Sequence, residues 1–146
     1  MTGLVKKKGE LDRNVVVNAI DLNESRIKEL NANPGINAYQ ALTSDIVKAT
    51  DVMVLAVKPQ QADVALKDVH KLGGLRDTSI LVSVVAGYPI QKLVDAKPGT
   101  NCLVRSMPNT PATIGRGCTV WMKSPDTTED QVETTRILLK TSKLLL

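Results

Sequence analysis

The most distinctive spacing in this chain belongs to small and rigid residues that follow aliphatic runs. Lys58-Pro59 follows Asp51–Val57 (DVMVLAV), Ala86-Gly87 follows Ser79–Val85 (SILVSVV), and Met107-Pro108-Asn109-Thr110-Pro111 follows Cys102–Ser106. If these runs are parallel strands, all three segments lie beyond their carboxyl ends, where open α/β sheets bind ligands. Small side chains and accessible main chain there let a flat ring approach closely. Taken singly, each Gly or Pro is explained as a turn residue; three in succession on one edge point to a ligand. Asp21 follows the run Val15–Ile20 and could accept hydrogen bonds from ribose hydroxyls. It could equally be the turn residue that leads into a helix.

Other chemistries have little to build on. His70 is the only histidine and falls near the end of an amphipathic stretch, which suits a surface or helix-end role. Cys102 and Cys118 sit in apolar, strand-like settings without C-x-x-C spacing, so buried thiols are expected and no metal site. Lys6-Lys7-Lys8 supplies much of the net charge of +4. No aromatic residue interleaves these lysines as a single-strand platform requires, so they read as a solvated helix end and not a nucleic-acid site. Asn23-Glu24-Ser25 matches a glycosylation acceptor, a short pattern with no meaning outside secretion. No apolar run reaches the roughly 18 residues of a membrane span, and the first residues lack a signal-peptide stretch. A soluble, cytoplasmic chain with no membrane or nucleic-acid partner is expected.

The elements that would position these residues alternate. Val15–Ile20 reads as a strand, and Asn23 as the cap of a helix over Glu24–Leu30 that ends at Pro34-Gly35. A short strand near Ile36–Tyr39 precedes a helix at about Thr43–Ala49. Asp51–Val57 is the strongest strand. Ala62, Leu66, Val69 and Leu72 then recur at helical spacing before Gly73-Gly74. Ser79–Val85 is a buried strand, Ile90–Asp95 a short helix, and Cys102–Ser106 and Gly117–Met122 are strands. Thr127 caps a helix that runs to Lys140, and Leu144–Leu146 resembles the start of a strand. The chain of 146 residues, 42% hydrophobic and without Phe, must build its core from aliphatic side chains. That composition suits strands covered by helices on both faces. One domain over residues 1–146 is expected, with a doubly wound, mostly parallel α/β sheet of the dinucleotide-binding (Rossmann) type.

Such a fold normally opens with a strand, G-x-G-x-x-G and a helix whose N-terminus holds pyrophosphate. Here Met1–Lys8 reads as the end of a helix closed by Gly9. The only G-x-G, Gly115-Arg116-Gly117, lacks the third glycine and precedes a strand. The expectation is a dinucleotide-type domain without its own phosphate loop.

Three segments taken together carry a family resemblance. They are Ala56-Val57-Lys58-Pro59-Gln60, Val82–Gly87, and Arg105-Ser106-Met107-Pro108-Asn109-Thr110-Pro111 followed by Gly115-Arg116-Gly117. In order and spacing they resemble pyrroline-5-carboxylate reductase, which reduces L-1-pyrroline-5-carboxylate to L-proline with NADPH or NADH. The resemblance implies that Ala56, Val57, Lys58 and Pro59 line the nicotinamide ribose and pyrophosphate. It places Val84, Val85 and Ala86 at the nicotinamide end, and turns Asn109 toward the nicotinamide and the imino-acid substrate. Thr43 stands where the family has an adenine-side Asn, and Asp21, without a donor for a 2′-phosphate beside it, favours NADH. No metal is implied. The family's first strand and glycine loop, and the C-terminal helical domain that dimerises and supplies most of the imino-acid site, have no counterpart here. The chain by itself is therefore expected to fold poorly and to be inactive. Two alternatives stay open: a non-catalytic fragment or regulatory partner of a full-length reductase, and a related F420-dependent NADP reductase.

Overall fold

The computed structural model describes residues 15–108 and 119–140. Its chain alternates strand and helix: β1 (Val17–Ile20), α1 (Glu24–Asn31), β2 (Ile36–Tyr39), α2 (Ser44–Ala49), β3 (Val52–Leu55), α3 (Pro59–Lys71), β4 (Ile80–Ser83), α4 (Ile90–Asp95), β5 (Cys102–Pro108), β6 (Thr119–Lys123) and α5 (Glu129–Lys140). β1 and β2 form a parallel pair. A second sheet runs β3-β4-β5-β6, parallel except for the antiparallel β5–β6 pair. The expected α/β architecture is therefore present, with the sheet in two pieces: β1 and β3 are not paired with each other among the described residues.

Side-chain alternation on the second sheet divides its core. Leu55, Leu81, Leu103, Ala62, Leu66, Val69 and Leu93 pack on the face covered by α3 and α4. Ile80, Val82, Cys102, Val104 and Leu138 pack on the other, against α5, with Trp121 at the margin. Each fully buried Leu or Val contributes about 1.5–3 kcal/mol, so these two aliphatic layers dominate stability without any Phe. The β1–β2 pair has a smaller core of Ala19, Leu30, Ile36 and Ala38. There the Asn31 side chain bridges α1 to β2, accepting from the Ala38 N–H at 2.8 Å and donating to the Ala38 carbonyl at 3.3 Å.

The local signals act where they are expected, with three corrections. Asn23 caps α1 by accepting from the N–H groups of Ser25 and Arg26. The aliphatic run Asp51–Val57 forms ladder only over Val52–Leu55, and Val52–Val54 are half-buried. Among the described residues β3 has a neighbouring strand on one side only, so hydrophobicity alone overstated its burial. The cap of α5 is Thr128, not Thr127. Thr128 Oγ1 accepts from the Gln131 N–H at 3.3 Å while Gln131 Oε1 accepts from the Thr128 N–H at 3.0 Å, a reciprocal capping box. Thr127 is buried instead, its hydroxyl donating to the Ser124 carbonyl. Finally, β5 reaches Pro108, two residues beyond its expected end, because pairing with β6 extends it. The expected helix end at Met1–Lys8, Gly117–Cys118 and the strand at Leu144–Leu146 lie outside the described residues. No helix among the described residues is long and apolar enough to cross a membrane.

Candidate functional site

Parallel pairing sets the geometry of the site. Register couples Leu55 to Ser83 and Ser83 to Arg105, so β3 and β4 end side by side while β5, level with them at Arg105, runs on to Pro108. The Val84 N–H donates to the Leu55 carbonyl at 3.1 Å, which places Ala56–Pro59 beside Val84–Gly87. Two of the three segments singled out in the sequence are thus brought together, and β5 delivers the third, Met107-Pro108, to the same edge.

Within the first segment, Ala56 is exposed and Val57 packs on the core beneath it. Pro59 forces Lys58 into an extended conformation (φ −63°, ψ 147°) and then starts α3, a position where its missing N–H costs nothing. Lys58 makes no side-chain cap bond, and the first turn of α3 carries no acidic residue. Among the described residues the Lys58 ammonium has no ion-pair partner. The positive helix dipole and an ammonium without an ion-pair partner among the described residues therefore coincide at one strand end, a combination that fits a phosphate group.

The second segment forms the adjoining wall. Val84 is half-buried and Ala86 exposed, while the Val85 side chain is committed to the core at 2% exposure. Any contribution of Val85 to a ligand must come through its backbone. Gly87 takes φ +66°, a left-handed conformation that turns the chain so that Tyr88 swings back under the loop. Tyr88 is 4% exposed and packs in the same core as Val85. Its hydroxyl donates to Asp63 Oδ1 at 2.6 Å, and Lys92 Nζ stands 5.3 Å from its ring centroid. Burial, and then the neighbouring Asp63 carboxylate, push the phenol up to about 12. Sequence reasoning missed Tyr88 and Asp63; a tyrosine after Ala-Gly and an aspartate in a polar helix face carry no pattern that links them.

At the end of β5, Ser106 Oγ and Arg105 Nε are buried side-chain polar atoms without a hydrogen-bond partner among the described residues. They immediately precede Met107-Pro108. Asn109 and Gly115-Arg116-Gly117 lie outside the described residues.

Asp21 follows β1 in the smaller unit, whereas Thr43 precedes α2, whose Val47 packs in the core of the larger sheet; each already has a local task. Asp21 Oδ1 accepts from the Asn23 N–H at 2.9 Å, just before α1, and its second oxygen has no partner among the described residues. Thr43 caps α2, its hydroxyl accepting from the Ile46 N–H. His70 lies in the last turn of α3 with Nδ1 3.0 Å from the Lys97 carbonyl, the helix-end role expected of it. Cys102 is buried in β5, where desolvation raises its thiol pKa while the Thr127 hydroxyl and Lys123 oppose that rise. Among the described residues no group of His, Cys, Asp and Glu could hold a metal ion.

Comparison with known proteins gives concordant results. Residues 1–87 match the profile of a family described as NADP oxidoreductase, coenzyme F420-dependent. Pyrroline-5-carboxylate reductase of Arabidopsis thaliana is 31% identical over 122 residues, which is 84% of this chain and 42% of that protein. A pyrroline-5-carboxylate reductase from Coxiella burnetii superposes with a TM-score of 0.80 at 18% identity, over 96% of this chain and 51% of that one. Plasmodium falciparum pyrroline carboxylate reductase with NADP bound gives 0.66 at 20% identity, over 88% of this chain and 55% of that one. The chain thus spans 42% of the curated relative and about half of each solved structure. The structural matches establish the fold as a Rossmann-type, mostly parallel α/β sheet.

Proposed function

We propose, for a chain that belongs to the NADP oxidoreductase coenzyme F420-dependent family and has pyrroline-5-carboxylate reductases among its relatives, the cofactor-binding part of a reductase that forms L-proline. The observation that carries this reading is the shared carboxyl-end edge of three parallel strands, with Ala56–Pro59 and Val84–Gly87 held together by the Val84–Leu55 hydrogen bond. The 146 residues are taken as one partial NAD(P)-binding domain, acting with a helical dimerisation domain in the complete protein. NADPH or NADH supplies the hydride when bound, so the chain's own task is positioning and not acid–base chemistry.

Each residue then has a stated role. Lys58 and the N-terminus of α3 would hold phosphate, and Ala56 and Val57 would border the adjoining ribose. Val84, the Val85 backbone and Ala86 would form an apolar wall that keeps water from the nicotinamide. Asn109 would face that ring and the small imino-acid substrate. The free oxygen of Asp21 would accept from the adenosine ribose, with Thr43 on the adenine side.

The family description favours a second reading, reduction of NADP with coenzyme F420. One experiment separates them. The purified chain, and the complete protein in which it occurs, are titrated with NADPH and NADH. Cofactor oxidation is then followed with L-1-pyrroline-5-carboxylate or with coenzyme F420 as acceptor. Oxidation dependent on the imino acid, impaired by Asn109→Ala, supports the proposal. Oxidation dependent only on F420 replaces it, and no cofactor binding by either protein overturns both.

A further inference from the structure

We infer that Tyr88 and Asp63 form a positioning clamp for the candidate site, a role that rests on the cofactor reading above. The two walls of the site are loops, and loops at strand ends are free to drift unless something beyond the ladder ties them. The ladder's last tie is the Val84–Leu55 bond. Past it, Ala86-Gly87 reverses the chain and Tyr88 returns into the core, its N–H directed at the Val85 carbonyl at 3.4 Å. The phenol hydroxyl then reaches across to Asp63, the fifth residue of α3, at 2.6 Å. Because α3 begins at Pro59, Asp63 moves rigidly with Lys58-Pro59. The hydrogen bond therefore joins the wall Val84–Gly87 to the helix that presents Lys58.

The chemistry suits a clamp. A phenol donating to a carboxylate is a charge-assisted bond, shorter and stronger than a neutral one. The ring is fixed by core packing, and Lys92 covers its face. Asp63 is exposed, so its second oxygen stays solvated and the pair is not a buried charge in need of compensation. Neither residue touches the loops' outer surface. Their effect passes through the spacing between the two walls, where small misplacements are costly to a positioned ring.

The test compares the full chain with Tyr88→Phe, Asp63→Asn, Asp63→Ala and the double variant Tyr88→Phe/Asp63→Ala. Amide hydrogen exchange is read by peptide, and affinity is read for NADPH and for 2′,5′-ADP, which lacks the nicotinamide half. Tyr88→Phe is expected to speed exchange over Ala56–Gln61 and Val84–Tyr88 and leave β1–β2 unchanged. It should weaken NADPH about five- to tenfold, the worth of one hydrogen bond, with 2′,5′-ADP affinity unchanged. Asp63→Asn, which keeps an acceptor but not the charge, should lose less than Asp63→Ala. Asp63→Ala alters an exposed residue, so it tests the same bond without disturbing the core, and the double variant should be no worse than either single. Binding of NADPH by the wild type, with exchange and affinity unaltered in Tyr88→Phe and Asp63→Ala, sinks the clamp alone. Equal loss of NADPH and 2′,5′-ADP in the variants reduces the pair to a stabilising contact and overturns the positioning role. Failure of the wild type to bind NADPH, NADH and 2′,5′-ADP alike removes the cofactor reading and the clamp's role with it.

Discussion

Gly99 and Gly74 pack backbone against backbone: a Cβ added to Gly74 would stand 3.2 Å from the Gly99 Cα, and one added to Gly99 would stand 2.9 Å from the Gly74 carbonyl carbon. The turn before β5 is thereby sealed onto the end of α3, and the Leu75 N–H donates to the Pro98 carbonyl at 2.7 Å. Gly99 also takes φ +102°. Gly99→Ala should cost roughly 3–5 kcal/mol from strain and overlap together. Gly73→Ala, with the same φ of +102° but only the Lys48 Cε near it at 3.6 Å, should cost only about 1–3 kcal/mol. Thermal denaturation of the two variants checks the contrast. Equal losses would show that conformation alone, and not the close approach, governs Gly99.

Tyr88 should give the protein a limit in alkali. Its pKa is raised from 10.0 to about 12 in the folded state, mainly by burial. Below pH 10 the phenol is protonated in both folded and unfolded chains and its contribution is fully present. Between 10 and 12 the unfolded chain loses the proton and the folded one keeps it, so stability falls as pH rises, by about 2–3 kcal/mol in total. Urea melts between pH 8 and 12 should show the decline in wild type and a shallower one in Tyr88→Phe. Parallel curves would remove Tyr88 as its source.

Asp21 separates a structural duty from a binding one. Asp21→Asn keeps an oxygen for the Asn23 N–H and so preserves the start of α1. It removes the charge that would repel a 2′-phosphate. The expected outcome is little change in melting temperature and a rise in the NADPH-to-NADH affinity ratio of about three- to tenfold, or roughly 0.7–1.4 kcal/mol. Isothermal titration with both cofactors measures it, and an unchanged ratio would leave Asp21 as a turn residue only.

Cys102 should be inert while the chain is folded. It is 1% exposed, and burial raises its thiol pKa, so little thiolate forms and little reagent reaches it. Peptide-level mass spectrometry after iodoacetamide treatment at neutral pH should find Cys102 unmodified in buffer and alkylated in denaturant. Rapid native labelling would show that β5 opens readily.

Sequence periodicity exposed most of the fold because aliphatic runs, caps and Gly-Pro punctuation act over a few residues. Ile36–Tyr39, Ile90–Asp95 and the α1 cap at Asn23 are all decided locally. What escaped depends on partners far along the chain. The half-burial of Val52–Val54 depends on what lies beside the strand; the cap of α5 is a local exception, missed although Gln131 reaches back only three residues to Thr128. The site divides likewise. Lys58-Pro59 and Ala86-Gly87 were visible as punctuation, whereas the contact that ties their elements joins residues 25 positions apart. Val85 was read as the last residue of a buried strand and its side chain is buried, although the strand itself stops at Ser83.

The outer edge of β3 has a consequence for handling. Along Val52–Val54 the described structure sets aliphatic side chains, half in solvent, beside outward main-chain groups that no other described strand satisfies. Such an edge is a template on which foreign strands can grow, the route by which sheets aggregate. Charge brackets it: Asp51, paired with Arg76 at 2.6 Å, stands at one end and Lys58 beyond the other. Both act as gatekeepers that any incoming strand must bury. Neutralising them together in Asp51→Asn/Lys58→Gln should raise light scattering at a given concentration, while high salt alone should do so more weakly. Colloidal behaviour would then be governed by the few residues that flank one short strand.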